Sequence, residues 1–92
     1  MKLLQVTLTA NLRKYYPDAR FEIEAGTLRE LLARMDERRA NFSSYILEDG
    51  GVIRTHVNIF VNGDVVPRGA GVIDRKLEPG SKIHIMQALS GG

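Results

Sequence analysis

The sequence predicts an α+β domain in the order strand, strand, helix, strand, short strand, strand, with the helix lying across one face of the sheet. Three observations carry this expectation. Apolar and polar residues alternate with period two in several separate segments; one segment combines a helix-capping signal with an apolar stripe of helical spacing; and Asn-Gly and Pro-Gly pairs punctuate the second half.

In the first segment, Leu4, Val6 and Leu8 share one strand face and leave Leu3, Gln5 and Thr7 on the other. Asn11 to Asp18, with Tyr15-Tyr16-Pro17-Asp18, reads as a connection. Phe21 and Ile23 then alternate with Glu22 and Glu24 in a second strand whose acidic side faces water. Thr27-Leu28-Arg29-Glu30 has the spacing of a capping box, in which hydroxyl and carboxylate each satisfy the other residue's free amide. Leu28, Leu31, Leu32 and Met35 follow at i, i+3, i+4 and i+7, opposite Arg29, Arg34, Glu37 and Arg38, so a helix packs its leucine stripe on the sheet.

Phe42, Tyr45 and Ile46 fit a short helical turn ended by Glu48-Asp49-Gly50-Gly51. From His56 to Asn62 the alternation resumes, with Val57, Ile59 and Val61 inward and His56, Asn58, Phe60 and Asn62 outward. Asn62-Gly63 is a tight-turn signal, and a short strand through Val65-Val66 pairs back. Arg68-Gly69-Ala70-Gly71 reads as a loop, and Glu78-Pro79-Gly80-Ser81 suits a type II turn. The last strand turns Ile83 and Ile85 inward and Lys82, His84 and Met86 outward; the chain leaves the sheet from about Gln87.

Ninety-two residues that are 43% hydrophobic and 26% charged support one core and no second domain. This divides the chain into a globular body over 1–87 and a tail over 88–92. A net charge of +2 from 13 basic and 11 acidic residues leaves no footprint for nucleic acid or an anionic membrane. No run approaches the roughly 20 apolar residues of a membrane span, and Met1-Lys2-Leu3-Leu4 leads into strand alternation, so the cytoplasm is the expected compartment. There is no cysteine, which excludes a disulfide framework, a thiolate metal site and a cysteine nucleophile. Any sulfur chemistry must use sulfur supplied from outside the chain.

The tail Ala88-Leu89-Ser90-Gly91-Gly92 is the most informative segment. A diglycine end is slender and torsionally permissive, suited to a narrow active-site tunnel. Five residues extend about 17 Å at roughly 3.4 Å each, enough to reach inside another protein. A frayed terminus is the plain alternative. The functional reading makes the Gly92 carboxylate the reactive group, with Gly91, Ser90 and Leu89 read by the partner. A carboxylate ionised above a pKa of roughly 3.5 resists nucleophiles until it becomes a mixed anhydride such as an acyl-adenylate, so an ATP-using partner is required. Attack on the adenylate by sulfide, or by a persulfide whose acyl disulfide is then cleaved by a thiol, leaves a terminal thiocarboxylate, a good sulfur nucleophile.

Phe60, Met86, His84 and Leu3 are expected together on the helix-free face if the strands that carry them flank one another, forming a docking patch near the tail. Isolated exposed apolar residues are, however, ordinary. His56 and His84 lack a ligand spacing, and the Glu22 and Glu24 pair suits a solvated edge strand better than catalysis. Gly69-Ala70-Gly71 lacks the Lys-Ser/Thr of a phosphate loop, and Arg13-Lys14, Arg38-Arg39 and Arg75-Lys76 are too scattered for RNA, fitting an acidic protein surface better. No catalytic residue and no metal ligand is assigned.

With the tail, the strand order and His56-Val57-Asn58-Ile59-Phe60-Val61-Asn62-Gly63 in hand, the chain resembles the sulfur carriers of the MoaD/ThiS type over nearly its whole length. The matching positions are Val61-Asn62-Gly63, Leu77 through Gly80, and Gly91-Gly92; Ser81 and Gln87 depart from the acidic residue and the proline common there. The resemblance implies a ubiquitin-like β-grasp with a mixed sheet of four to five strands on one main helix. It also implies a noncatalytic carrier that binds no cofactor, its Gly92 activated by a ubiquitin-activating-like adenylyltransferase that uses ATP, commonly with zinc in that partner.

Length and the middle segment look most like the carriers that feed cysteine synthesis. There the implied partners are a sulfur donor protein, a pyridoxal-phosphate-dependent synthase that accepts the sulfur, and a metalloprotease that removes the adduct. The small subunit of molybdopterin synthase, a thiamine-pathway carrier, a ubiquitin-like modifier joined to lysine through Gly92, and a β-grasp interaction module with an incidental tail stay open.

Overall fold

The computed structural model describes residues 3–69 and 71–87, and the tail assigned to 88–92 lies outside them. The alternating segments form one five-stranded sheet from β1 (Leu4–Leu8), β2 (Arg20–Ile23), β3 (Val57–Val61), β4 (Asp64–Val65) and β5 (Lys82–Gln87), in the order β2-β1-β5-β3-β4. β1 and β5 run parallel at the centre, and the β1–β2, β3–β5 and β3–β4 pairs are antiparallel. The sheet is mixed, and the last strand in sequence is the middle one in space.

Register aligns the inward side chains in rows. Val6 stands beside Ile83, Leu8 beside Ile85, and Ile59 opposite Ile85. All of these are buried, together with Leu4 and Val57. The helix α2 (Leu28–Arg38) contributes Leu28, Leu31, Leu32 and Met35 to the same core, as the stripe requires. Its expected polar face of Arg29, Arg34, Glu37 and Arg38 is exposed. Val61, expected inward, is only half-buried, because β4 beside it is two residues long.

The capping box is half formed. The Glu30 amide donates to the Thr27 hydroxyl at 3.1 Å, but the Glu30 carboxylate meets that hydroxyl at 3.5 Å and does not reach back to the Thr27 amide. The start of the helix is instead tied to the segment before β5. Leu28 N–H donates to the Arg75 carbonyl and Leu77 N–H to the Gly26 carbonyl, around a bridge between Thr27 and Lys76. Tertiary pairing thereby takes up the Leu28 amide, one of the free donors of the first turn.

Three elements differ from expectation. Ala10–Arg13, overlapping the connection read over Asn11 to Asp18, forms a short helix α1, with Leu12 and Arg13 amides donating to the Thr9 carbonyl. One turn carries no periodicity to read, and burial of Leu12 in the core, where α1 meets the central strand β5, stabilises it. Val72–Asp74, just beyond the loop expected over 68–71, is a 3₁₀ turn whose own Ile73 is buried. β4 begins one residue earlier than expected, because a two-residue turn at Asn62-Gly63 places Asp64 opposite Val61. The turn at Phe42–Tyr45 is present as 3₁₀, started by Asn41 at φ 65°. The Asp36 carboxylate accepts from the Ser43 amide and hydroxyl, both at 2.7 Å.

At this end of the molecule Tyr16 packs on Phe21 (centroids 5.0 Å apart) and edge-on to Phe42 (4.9 Å), while Tyr15 stacks on Tyr45 (4.2 Å). The Tyr16 hydroxyl is buried without a hydrogen-bond partner among the described residues. Burial pushes its phenol pKa up; nearby Arg38 opposes this and Asp18 and Asp36 reinforce it. A raised folded-state pKa leaves the stabilising contribution whole below the unfolded value of 10.0 and removes it as pH climbs past that. Tyr16→Phe should therefore match or exceed the parent in urea unfolding at neutral pH, by up to about 1 kcal/mol, since an orphaned hydroxyl is deleted. The gain should widen above pH 10. A clear loss at neutral pH would mean the hydroxyl is satisfied.

Candidate functional site

The site is built around the two ends of β5. At its start, Asn62 and Gly63 take φ of 51° and 90°, the left-handed pair of a two-residue hairpin turn. The Asn62 amide donates to the Lys82 carbonyl at 2.8 Å, its side-chain Oδ1 accepts from the Lys82 amide at 2.9 Å, and its Nδ2 donates to Ser81 Oγ at 3.4 Å. Ser81 is buried, and its hydroxyl donates to the Glu78 carbonyl at 2.7 Å. Gly80, at φ 82°, completes the expected turn with the Ser81 amide donating to Glu78. The Asn of Val61-Asn62-Gly63 thus locks the β3–β4 hairpin to the first residue of the strand that leads to the tail.

Two substitutions separate its contributions. Asn62→Gly keeps the left-handed backbone and should cost about 1 kcal/mol for the side-chain bonds. Asn62→Ala should cost about 1 kcal/mol more because its Cβ is strained at positive φ. Equal unfolding midpoints for the two variants would show that backbone strain contributes nothing.

At the far end of β5, Gln87 faces Val57 on β3, and its carbonyl accepts from Asn11 Nδ2 at 2.7 Å. On the neighbouring strand, Arg68 Nη2 donates to the Val57 carbonyl, to the Thr55 carbonyl at 2.9 Å and to Asn58 Oδ1 at 3.2 Å. Both side chains satisfy strand carbonyls where a backbone partner has run out. Sequence reasoning assigned Asn11 only to a connection and Arg68 only to a loop. Asn11 lies 76 positions from its acceptor, so no local pattern signals the contact.

The helix-free face runs over the same strand. Phe60 stands opposite His84, Met86 opposite Asn58, and Thr7 beside His84. Phe60 and Met86 are diagonal neighbours, a separation of roughly 7–8 Å that long side chains span. The flanking arrangement expected of these strands is present. Leu3 does not join the group, because the parallel register of Gln5 with Lys82 sets it beyond the start of β5, roughly 13 Å along the strands from the His84 row. Met86 is 41% exposed, Phe60 half-buried, and Val65, opposite Phe60 on β4, 52% exposed, so three apolar side chains share this face. Next to it lies an open, polar cleft of about 740 Å³ between outward Gln5, Thr7, Arg20, Glu22, Lys82 and His84.

The remaining candidates stay apart. His56 is exposed ahead of β3 and His84 exposed on β5. No group of three or more His, Cys, Asp or Glu side chains among the described residues is placed to hold a metal ion. Glu22 and Glu24 are exposed at the β2 edge. Gly71 sits at φ 83° leading into the 3₁₀ turn. Of the basic pairs, Arg38 is engaged with Asp18 at 2.8 Å, while Asp74, just before Arg75, pairs with Arg29. That exposed contact holds the Asp74 carboxyl below its ordinary value, chiefly through the Arg29 hydrogen bond. No helix among the described residues is long and apolar enough to cross a membrane.

A five-stranded mixed sheet with parallel central strands, wrapped on one main helix and with its C-terminal strand in the middle, is the ubiquitin-like β-grasp. The model of the ThiS family matches residues 6–92, and the chain belongs to that family of small sulfur carriers. Among solved structures, it is similar to a chain of the Amycolatopsis orientalis BexX/CysO complex, with a TM-score of 0.82 and 20% identity, covering 97% of this chain and 99% of that one. It is similar to Mycobacterium tuberculosis CysO, described as an antigen, with a TM-score of 0.80 and 19% identity over 94% and 99% of the two chains. It is also similar to the small archaeal modifier protein SAMP1 of Haloferax volcanii, with a TM-score of 0.76 and 17% identity over 98% and 99%. At such identities the likeness establishes the fold. No curated protein matches the sequence.

Proposed function

We propose that this protein is a noncatalytic, cytoplasmic sulfur carrier whose Gly92 carboxylate is adenylated by a partner and converted to a thiocarboxylate that donates sulfur, in the first instance for cysteine synthesis. The observation that carries the proposal is the family match, which runs through Gly91 and Gly92. The supporting geometry is β5, the central strand, held at its start by Asn62 and at its end by Asn11. A tail attached to this anchored strand can be pulled into an enzyme without loosening the core, whose last member among the described residues is Ile85.

The chemistry divides between this chain and its partners. A ubiquitin-activating-like adenylyltransferase supplies the ATP site and joins AMP to the Gly92 carboxylate with release of pyrophosphate. The persulfide of a sulfur donor protein displaces AMP to give an acyl disulfide, a thiol reductant cleaves its S–S bond to leave the thiocarboxylate on Gly92, and that sulfur then displaces the leaving group of the acceptor held by a synthase that uses pyridoxal phosphate. A metalloprotease releases the product residue. Leu89, Ser90 and Gly91 are the positions the adenylating tunnel reads. Phe60, His84 and Met86 dock the body, with Thr7 in the place expected of Leu3. The direction toward cysteine rests on chain length and the Val57–Gly63 segment. A molybdopterin synthase small subunit or a thiamine-pathway carrier would share every step except the final acceptor.

Likeness to a protein named as a modifier favours a second reading, in which Gly92 is joined to a lysine of a target. Intact-mass measurement after incubation with ATP, the adenylyltransferase of the same organism and a sulfide source distinguishes the two. The carrier gains the mass of one sulfur-for-oxygen exchange, whereas a modifier appears as a covalent adduct on another protein. A mass unchanged in both settings overturns both readings.

A further inference from the structure

We propose that Asn11 is a positioning residue for activation of the tail: its side-chain amide stands in for a missing ladder donor and fixes the carbonyl of Gln87. The inference rests on the carrier reading above. Along the parallel β1–β5 pair, amides of β1 donate to β5 carbonyls at every second residue. Gln5 N–H reaches the Ser81 carbonyl at 2.9 Å and Thr9 N–H the Ile85 carbonyl at 3.1 Å. The next step of that series would take the residue 11 amide to the Gln87 carbonyl. It cannot be made by backbone, because the chain turns into α1 at Ala10.

The residue at that step is an asparagine, and its Nδ2 makes the bond at 2.7 Å. Asparagine is one of the few side chains that can extend a ladder by one rung, because its short amide carries the same donor as the backbone. On its other side Gln87 faces Val57, whose carbonyl is held by Arg68. The pairing therefore ends at a defined residue instead of fraying back toward Met86. For a reaction at Gly92, five residues further on, the fixed point from which the tail starts sets how often the carboxylate reaches the adenylating site.

The test compares steady-state ATP–pyrophosphate exchange by the cognate adenylyltransferase, with full-length protein as the varied substrate. Asn11→Leu keeps size and removes the donor. Asn11→Gln keeps an amide donor on a longer arm. Asp36→Ala breaks the Ser43 cap at the aromatic end and serves as a control for general destabilisation. Since one ordinary hydrogen bond holds the anchored state, Asn11→Leu should lower kcat roughly two- to tenfold. Its KM should stay within about twofold because the docking face is untouched. Asn11→Gln should recover part of the rate, and Asp36→Ala should keep the parent kcat.

Parent kcat in Asn11→Leu, or an equal loss in Asp36→Ala, overturns the positioning role while leaving the carrier reading intact. Absence of exchange with the unaltered protein overturns the carrier reading itself, and this inference with it.

Discussion

Deletion of Gly91 and Gly92 is expected to abolish ATP-dependent activation while leaving the unfolding transition unchanged. The deletion moves the terminal carboxylate back to Ser90, shortening the reach by about 7 Å. It also replaces a slender end with a residue that carries a Cβ and a hydroxyl, which a tunnel shaped for glycine excludes. None of the described core is touched, since its last member in sequence is Ile85, and the contacts that hold the end of β5 are made by Asn11 and by the Val57 pairing. Pyrophosphate exchange and thermal unfolding monitored by circular dichroism read the two halves of the prediction separately. Activation that survives the deletion would show that the terminal acyl group is not the reacting one. A large fall in melting temperature would show instead that the tail packs on the body.

Truncation of Phe42 to alanine should be the most damaging single change to the body, costing about 3–5 kcal/mol. Phe42 is fully buried, lies edge-on to Tyr16 at 4.9 Å and tilted to Tyr45 at 6.2 Å, and follows the left-handed Asn41 that ends the α2 connection. No neighbour can fill the vacated volume cheaply, because Tyr16 already carries an unpartnered hydroxyl into this core. For a domain whose total stability is of the order of 5–15 kcal/mol, the loss brings unfolding close to working conditions. Phe60→Ala provides the contrast. Phe60 is half-buried on the helix-free face, and its removal should cost only about 1 kcal/mol of cross-strand contact. Urea unfolding of both variants measures the difference; equal losses would make the helix-free face part of the core and not a surface free to dock partners.

The two phenylalanines also show what could be read locally. Phe60 interrupts the apolar-polar alternation of β3, but its outward placement follows from the pleat, which sets it on the side opposite buried Val57 and Ile59. Phe42 lies in a four-residue 3₁₀ turn, where spacing says little about depth. Its burial depends on Tyr16, itself packed on Phe21, which the fold brings to it from a segment more than twenty residues earlier in the chain. α2 was legible for the opposite reason, since eleven residues repeat the stripe often enough to name every buried position. Its capping box was legible only in part. The hydroxyl half needs nothing beyond four adjacent residues, whereas the Leu28 amide of the same turn is taken by the Arg75 carbonyl, a partner that only the folded chain supplies.

The candidate site divides along the same line. Asn62-Gly63 and Pro79-Gly80 announce their turns because each turn is closed by the residues that form it. Arg68 and Asn11 announced nothing, since their acceptors are supplied by other strands.

Sequence alone determined the strand alternation, the leucine face of the helix, the hairpin turn and the diglycine end, because each is set by neighbours a few bonds apart. Tertiary structure alone decided that β5 takes the centre of the sheet, that Leu3 falls away from His84, and that Asn11 completes the ladder at Gln87. These depend on which strands pair and in what register, and register is chosen by burial of the whole sheet against α2, a cooperative choice that no single segment encodes.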